Sequence, residues 1–172
     1  MKAGQGKNKG SGFEREVGAK LSLWISNGER KDLLCRTVLS GGQFTMTSTG
    51  NAGDLMAQHP LAFPFCSKTV VECKFWRTLR LDQFLNRDGE LYKALLKVQK
   101  EAREVDKIWW LVAKQNHMQT LLFMSSVSKS TPPGKPPLLG CSYHQLFNGT
   151  VWMFNFDEFL KVVSPKLWEL NL

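Results

Sequence analysis

What this chain of 172 residues lacks narrows its class at once. It has no run of eighteen apolar residues, so no transmembrane helix is expected. Its first ten residues carry Lys2, Lys7 and Lys9 but no apolar stretch, so they do not read as a secretory signal. Four cysteines, at 35, 66, 73 and 141, form no CxxC pair, which argues against a zinc ribbon or a disulfide framework. Three histidines, at 59, 117 and 144, make no HExxH or zinc-finger pattern. The expected setting is therefore intracellular, with reduced and mostly packed thiols. No internal repeat is visible, and acidic residues are in short supply.

That shortage defines the charge. Twenty-three Lys and Arg face fifteen Asp and Glu, for a net charge of +8. Such an excess favours an anionic partner, and nucleic acid is the commonest for a basic globular domain. Otherwise the composition is ordinary: 42% hydrophobic and 22% charged, in one domain long enough to bury a core.

The periodicities predict an α/β domain with a central mixed β-sheet flanked by helices, in the order α-β-β-β-α-β, followed by a C-terminal β/α extension. Residues 1–10 read as a flexible basic arm, 11–125 as the core, and 126–172 as a Pro-rich loop plus a strand-helix extension packed on the core. A first helix opens at Ser11, with Phe13, Val17, Leu21 and Trp24 on one face, and ends at Asn27-Gly28. Short strands are expected over 33–38 and 53–57, separated by a mobile Gly/Ser/Thr loop over 39–52. His59-Pro60 and Phe63-Pro64 mark a connection. A strand follows over 69–75, then a short helix over 82–85. A longer helix over 90–105 carries the stripe Leu91, Leu95, Val98, Ala102 and Val105. The apolar run 108–113 suits a strand covered on both faces, with 119–124 as its hairpin or neighbouring partner. A loop over 125–137, a strand over 150–156 and a short helix over 157–163 complete the chain.

The chemistry concentrates in Gly53-Asp54 and, eighteen positions after Asp54, in Glu72-Cys73-Lys74. Residues i and i+2 of a strand share a face. Glu72 and Lys74 therefore project together, opposite Val71, Cys73 and Phe75. Asp54, on a neighbouring strand, can reach the same spot. Two converging carboxylates supply hard oxygen ligands for Mg²⁺, with Mn²⁺ able to substitute. The backbone carbonyl of Cys73 is a further ligand candidate. Lys74 beside such a metal can hold a water or stabilise charge developing on phosphorus. The plain alternative is a surface Glu–Lys pair of little energetic worth. Glu14 lies within the apolar stripe of the first helix, so it can serve the same site. The segment Ser11 to Glu14 also fits a capping box, in which Glu14 bonds back to the helix start. Lys93, Lys97 and Lys100 fit a solvated helix face paired with Glu90, Glu101 and Glu104. A solvated Gln99 and a core role for Trp109 and Trp110 are expected.

Lys9-Gly10-Ser11-Gly12-Phe13-Glu14-Arg15-Glu16, then Arg36, Gly53-Asp54 and Val70-Val71-Glu72-Cys73-Lys74 together resemble the PD-(D/E)xK nuclease superfamily, and most closely its archaeal-type Holliday junction resolvases and their phage relatives. The resemblance spans roughly residues 9–115 and implies a restriction-endonuclease-like fold. It implies a catalytic set of Asp54, Glu72 and Lys74 with Glu14 as a further acid. It implies phosphate contacts from Arg15 and Arg36, and a loop hydroxyl that corresponds to Ser40. Lys9, in the basic arm, is a further DNA-contact candidate. The implied protein is a metal-dependent, structure-selective DNA endonuclease that acts on branched DNA as a homodimer, without a small-molecule organic cofactor or a membrane. A nicking or phage-recombination nuclease, or a non-cleaving DNA-binding module, is the alternative. Gly53 stands where the superfamily often has Pro, Cys73 replaces an aliphatic residue, and the chain after 115 differs from a minimal resolvase.

Overall fold

A computed structural model describes residues 5–37, 52–125 and 141–166, with side chains from Lys9 onward. Helix α1 (Gln5–Ile25) lies on one face of a five-stranded mixed sheet. The sheet contains β3 (Thr69–Trp76), β4 (Ile108–Gln115), β5 (Leu121–Ser125), β6 (Tyr143–Leu146) and β7 (Val151–Asn155), in the order β3-β4-β5-β7-β6. The β3–β4 pair is parallel and the others antiparallel. Helix α4 (Gly89–Glu104) forms the crossover between the parallel strands, preceded by the short α3 (Leu81–Leu85). A separate two-stranded ladder of β1 (Leu34–Arg36) and β2 (Leu55–Ala57) joins β3 through a parallel bridge from Gly53 to Val71. Helix α5 (Phe156–Val162) closes the described chain.

The apolar run of β4 is divided between two cores, as expected of a strand buried on both faces. Trp110 and Val112 pack on the α1 side with Val17, Leu21, Trp24 and Phe159, while Trp109, Leu111 and Ala113 pack on the α4 side with Leu91, Leu95 and Val98. Trp110 and Phe159 meet edge-on at 5.3 Å between ring centres. Both tryptophans are thus core residues. The α4 stripe is buried from Leu91 to Ala102.

Several elements differ from the sequence expectation. Helix α1 starts at Gln5 rather than Ser11, so residues 5–10 are helical where a flexible arm was expected. Propensity is poor there, and at Lys9 a tertiary contact supports the helix: its ammonium lies 6.0 Å from the centre of the Phe75 ring on β3. Ser11 is consequently inside the helix, not at its cap, and the capping-box role of Glu14 falls away. The segment expected as a plain connection holds a 3-10 turn (Pro60–Ala62) and helix α2 (Phe63–Lys68). Pro60 and Pro64 sit in the first turns of these helices, where proline costs no hydrogen bond. Strand β6 gave no signal, because its polar residues are mostly exposed on the sheet edge. Strand β7 joins the sheet beside β5, so the C-terminal segment extends the same layer. The loop over 39–52, apart from Ala52, and nearly all of 125–137 lie outside the described residues.

Side-chain hydrogen bonds tie α1 to its neighbours. The buried Ser22 hydroxyl donates to the Gly18 carbonyl at 2.7 Å and accepts the N–H groups of Leu33 and Leu34 at 3.1 and 3.0 Å. The start of β1 is thereby pinned to the helix. At the other end, Trp24 Nε1 donates to the Val163 carbonyl at 2.6 Å, and Lys20 reaches Asp157 at 2.8 Å, so α5 is fixed to the same helix.

Candidate active site

Asp54 stands where the small ladder meets the main sheet. Its N–H donates to the Val71 carbonyl at 2.8 Å, and its carbonyl accepts the Thr37 N–H at 2.9 Å. The turn into it requires Gly53, whose φ is +85° and whose absent Cβ would lie 2.6 Å from the Val71 carbonyl oxygen. Proline, with φ fixed near −65°, cannot take this conformation, which accounts for the departure from the superfamily's more usual residue. Asp54 then turns its own side chain to β3: Oδ2 accepts the Cys73 N–H at 2.8 Å. A strand residue sends its N–H and C=O to the same side. The Cys73 carbonyl therefore also points to this edge, beside Asp54.

The strand alternation divides β3 as expected. Val71 and Cys73 pack in the α1-side core, whereas Glu72 projects towards α4 and is fully buried. Lys74 Nζ lies 2.6 Å from Glu72 Oε1. A surface Glu–Lys pair is thereby overturned, because one partner is completely removed from water. Lys97 of α4 reaches the same oxygen at 2.8 Å. Glu72 Oε2 is buried without a hydrogen-bond partner. Burying a carboxylate costs several kcal/mol unless its charge and its lone pairs are met. Here two ammonium groups meet the charge through one oxygen, and the other oxygen is left bare.

The two acids feel each other. Burial pushes the Asp54 carboxyl up to about 6, the nearby Glu72 charge adds to the rise, and the Cys73 N–H and Lys74 oppose it. Glu14 raises it slightly further. Glu14 approaches from α1, on the opposite side of β3 from Glu72, and is paired with the Arg36 guanidinium. Arg36 ends β1, so the helix-one acid and the strand-end arginine form one unit.

Of the other sequence candidates, Arg15 is exposed on α1, and Lys9 is exposed beside Phe75. Ser40 lies outside the described residues. Asp54, Glu72, Lys74 and Cys73 are brought together, with Glu14 and Arg36 alongside. Sequence reasoning missed Lys97 and Glu101. Lys97 also pairs with Glu101 at 3.5 Å, and Glu101 is half-buried, its carboxyl raised by burial and by the Glu72 charge against the pull of Lys97. The solvated-face reading holds for Lys93 and Lys100, which reach Glu90 and Glu104, but not for Lys97. A helical wheel carries the signal. Glu101 borders the buried stripe and Lys97 follows it, while Lys93 and Lys100 lie nearly opposite. Gln99 is half-buried.

Among the described residues, no three His, Cys, Asp or Glu side chains form a ready metal cluster. The donors at hand are the Asp54 carboxylate, the bare Glu72 Oε2 and the Cys73 carbonyl. All are hard oxygens, and the buried acid pair gains from a positive charge between its members. The set fits a divalent cation such as Mg²⁺ or Mn²⁺.

Residues 5–164 match the model of a family described as "Phage putative PDDEXK endonuclease". No curated protein matches, and no solved structure matches. Among the described residues no helix is long and apolar enough to cross a membrane. With a mixed sheet flanked by helices, an Asp on the strand-bridging turn and a Glu-x-Lys on the parallel pair at the sheet edge, the chain belongs to the phage PD-(D/E)xK endonuclease family.

Proposed function

We propose that the protein is a divalent-metal-dependent DNA endonuclease selective for branched DNA, with the four-way junction as preferred substrate. The observation that carries the metal-dependent part is the buried Glu72, with one oxygen held by lysines and the other bare, against an Asp54 whose proton is held up to about 6. A binding module gains nothing from two buried acids facing a polyanion. A cleaving enzyme needs them to hold the cation that would offset charge at one phosphate.

In this reading Asp54, Glu72 Oε2 and the Cys73 carbonyl hold Mg²⁺. The cation, when bound, polarises a phosphate oxygen and lowers the pKa of a water. Asp54 must release its proton to take part. Its Cys73 N–H bond keeps the carboxylate turned to the strand edge meanwhile. Lys74, on the same strand face as Glu72, holds the attacking water or meets the charge developing on phosphorus. Arg36, at the end of β1, gives its guanidinium to the substrate phosphate, and Glu14 is then available beside Asp54. Arg15, Lys9 and the Ser40 hydroxyl extend the phosphate contacts.

Branched DNA as substrate is supported by the ordered sequence of helix-one Glu-Arg-Glu, strand-end Arg and Asp…Glu-x-Lys, which resembles junction resolvases. Paired cuts on opposing strands of a junction call for a two-fold homodimer. The test compares a four-way junction with linear duplex of the same sequence, in Mg²⁺ and in EDTA. The junction should be cut at least tenfold faster, and only with the metal. Asp54→Asn and Glu72→Gln should abolish cleavage, a loss of several orders of magnitude, while binding the junction in EDTA as well as the parent or better. Equal rates on both substrates reject junction selectivity and leave a nicking or recombination nuclease. Undiminished cleavage by both variants rejects the site. Binding without cleavage by the parent would make the protein a DNA-binding module.

A further inference from the structure

Lys97 comes from a different element than the Glu-x-Lys strand, and its ammonium sits on the same Glu72 oxygen as that of Lys74, at 2.8 Å against 2.6 Å. Both ammonium groups on Oε1 fix the plane of the carboxylate and leave Oε2 bare. The duplication has a chemical consequence. Lys74 has work elsewhere in the nuclease reading, at a water or a phosphate. Were Lys74 alone on Glu72, its departure would leave Oε1 of a fully buried acid without a partner and free the carboxylate to turn. A second ammonium on the same oxygen removes that obstacle. Lys97 is itself held from behind by Glu101 at 3.5 Å, one helical turn along α4. Partial burial pulls the Lys97 ammonium towards neutrality, but the Glu72 hydrogen bond and charge, with Glu101 and Asp54, outweigh it and keep it protonated.

We propose that Lys97 is a positioning residue: it holds Glu72 Oε1 from α4, so that Oε2 presents to the metal and Lys74 is released to the reacting phosphate or water. The inference rests on the nuclease reading and adds to it a residue outside the Asp…Glu-x-Lys set. The chain of contacts runs Glu101–Lys97–Glu72, and neither of its two links passes through Lys74. Hydrogen-bond partners of this kind, which orient a ligand without touching the metal, typically change metal affinity or activity by about 10–100-fold when removed.

The sign of the effect separates this role from simple electrostatics. A lysine that merely adds positive charge repels a divalent cation, and its removal would tighten metal binding. A lysine that orients the carboxylate does the opposite. The experiment measures Mn²⁺ binding to the full chain by electron paramagnetic resonance of the free ion, alongside single-turnover cleavage as a function of Mg²⁺. The variants are Lys97→Met, Lys97→Gln and Lys97→Arg, with Lys100→Met as the control for one lost charge on the same helix. The Lys97 side chain is 52% exposed, so its replacement opens no core, and thermal melts verify folding. Lys97→Met and Lys97→Gln should weaken Mn²⁺ binding about tenfold or more, and lower the cleavage rate even at saturating metal. Lys97→Arg, which keeps a donor for Oε1, should recover most of both. Lys100→Met should leave both unchanged.

Unchanged or tighter Mn²⁺ binding in Lys97→Met and Lys97→Gln overturns the inference, as does an equal loss in Lys100→Met. Parent protein that cuts DNA and binds Mn²⁺ under those outcomes leaves the nuclease reading intact. Parent protein that does neither overturns both.

Discussion

At Asp54 the protonation balance translates directly into stability. Its carboxyl ionises near 3.8 in an unfolded chain and at about 6 in the folded one, through burial first and the Glu72 charge second. Between those values the folded state binds more protons than the unfolded state, so stability falls as pH rises and the loss is complete above about 6. A shift of this size corresponds to something on the order of 2–3 kcal/mol. Asp54→Asn retains an oxygen for the Cys73 N–H but carries no charge. In EDTA it should be more stable than the parent at pH 7.5, and no more stable at pH 4. Urea denaturation at the two pH values measures the difference, and an equal gain at both would trace it to packing instead. The convergence of Asp54 and Glu72 was legible in the sequence through strand alternation, although Asp54 sits in the turn before β2 rather than on the strand expected over 53–57. The partners of Glu72 from α4 were not, since a lysine on a charged helix reads as solvated until the tilt of that helix on the sheet is known.

Among the elements, α1 organises the acidic edge without belonging to the sheet. It carries Glu14, packs Phe13 against Phe75 of β3 at 5.7 Å, and holds the start of β1 through one hydroxyl. The Ser22 oxygen meets two backbone N–H groups that a neighbouring strand does not reach. Ser22→Ala strips both donors of their partner in a buried place. It should destabilise the protein by about 2–4 kcal/mol, from roughly 1–3 kcal/mol for each unsatisfied group with partial rescue by water. Since β1 ends in Arg36, the same variant should impair cleavage more than its stability loss predicts. Chemical denaturation and single-turnover rates at a temperature where the variant is fully folded give the two numbers. The long amphipathic helices and the central strands were readable from their periods, α4 above all, where the stripe from Leu91 to Ala102 is buried as its spacing implies. The start of α1 and strand β6 escaped because each depends on what lies next to it in space. Residues 5–10 have weak intrinsic preference, and a four-residue polar edge strand carries no alternation to see. The helix over 63–68 was concealed by prolines that look like breakers and act as helix starters.

For the whole molecule, the +8 charge and the acidic site describe two ranges of the same interaction. In the proposed reading, surface cations draw the polyanion in, and the buried acids, through the cation they would hold, serve a single phosphate. Binding in EDTA should therefore weaken steeply with salt. Arg15 is exposed on α1 and has no structural duty among the described contacts, so Arg15→Ala should lower the slope of log K against log salt by about 0.9. Titrations of labelled junction over a range of salt concentrations read the slope, and an unchanged value would remove Arg15 from the interface. The edge of β3 has a practical meaning for such work. The Asp54 carboxylate occupies the place that the next strand of a wider sheet would take, accepting a ladder hydrogen bond with a side chain instead of a backbone. The acid thus completes the architecture as well as serving the proposed chemistry. Replacing it with alanine removes the carboxylate and leaves the Cys73 N–H without its partner at once. A silent version for trapping DNA complexes is better made with asparagine at this position, or with glutamine in place of Glu72, where the border stays closed.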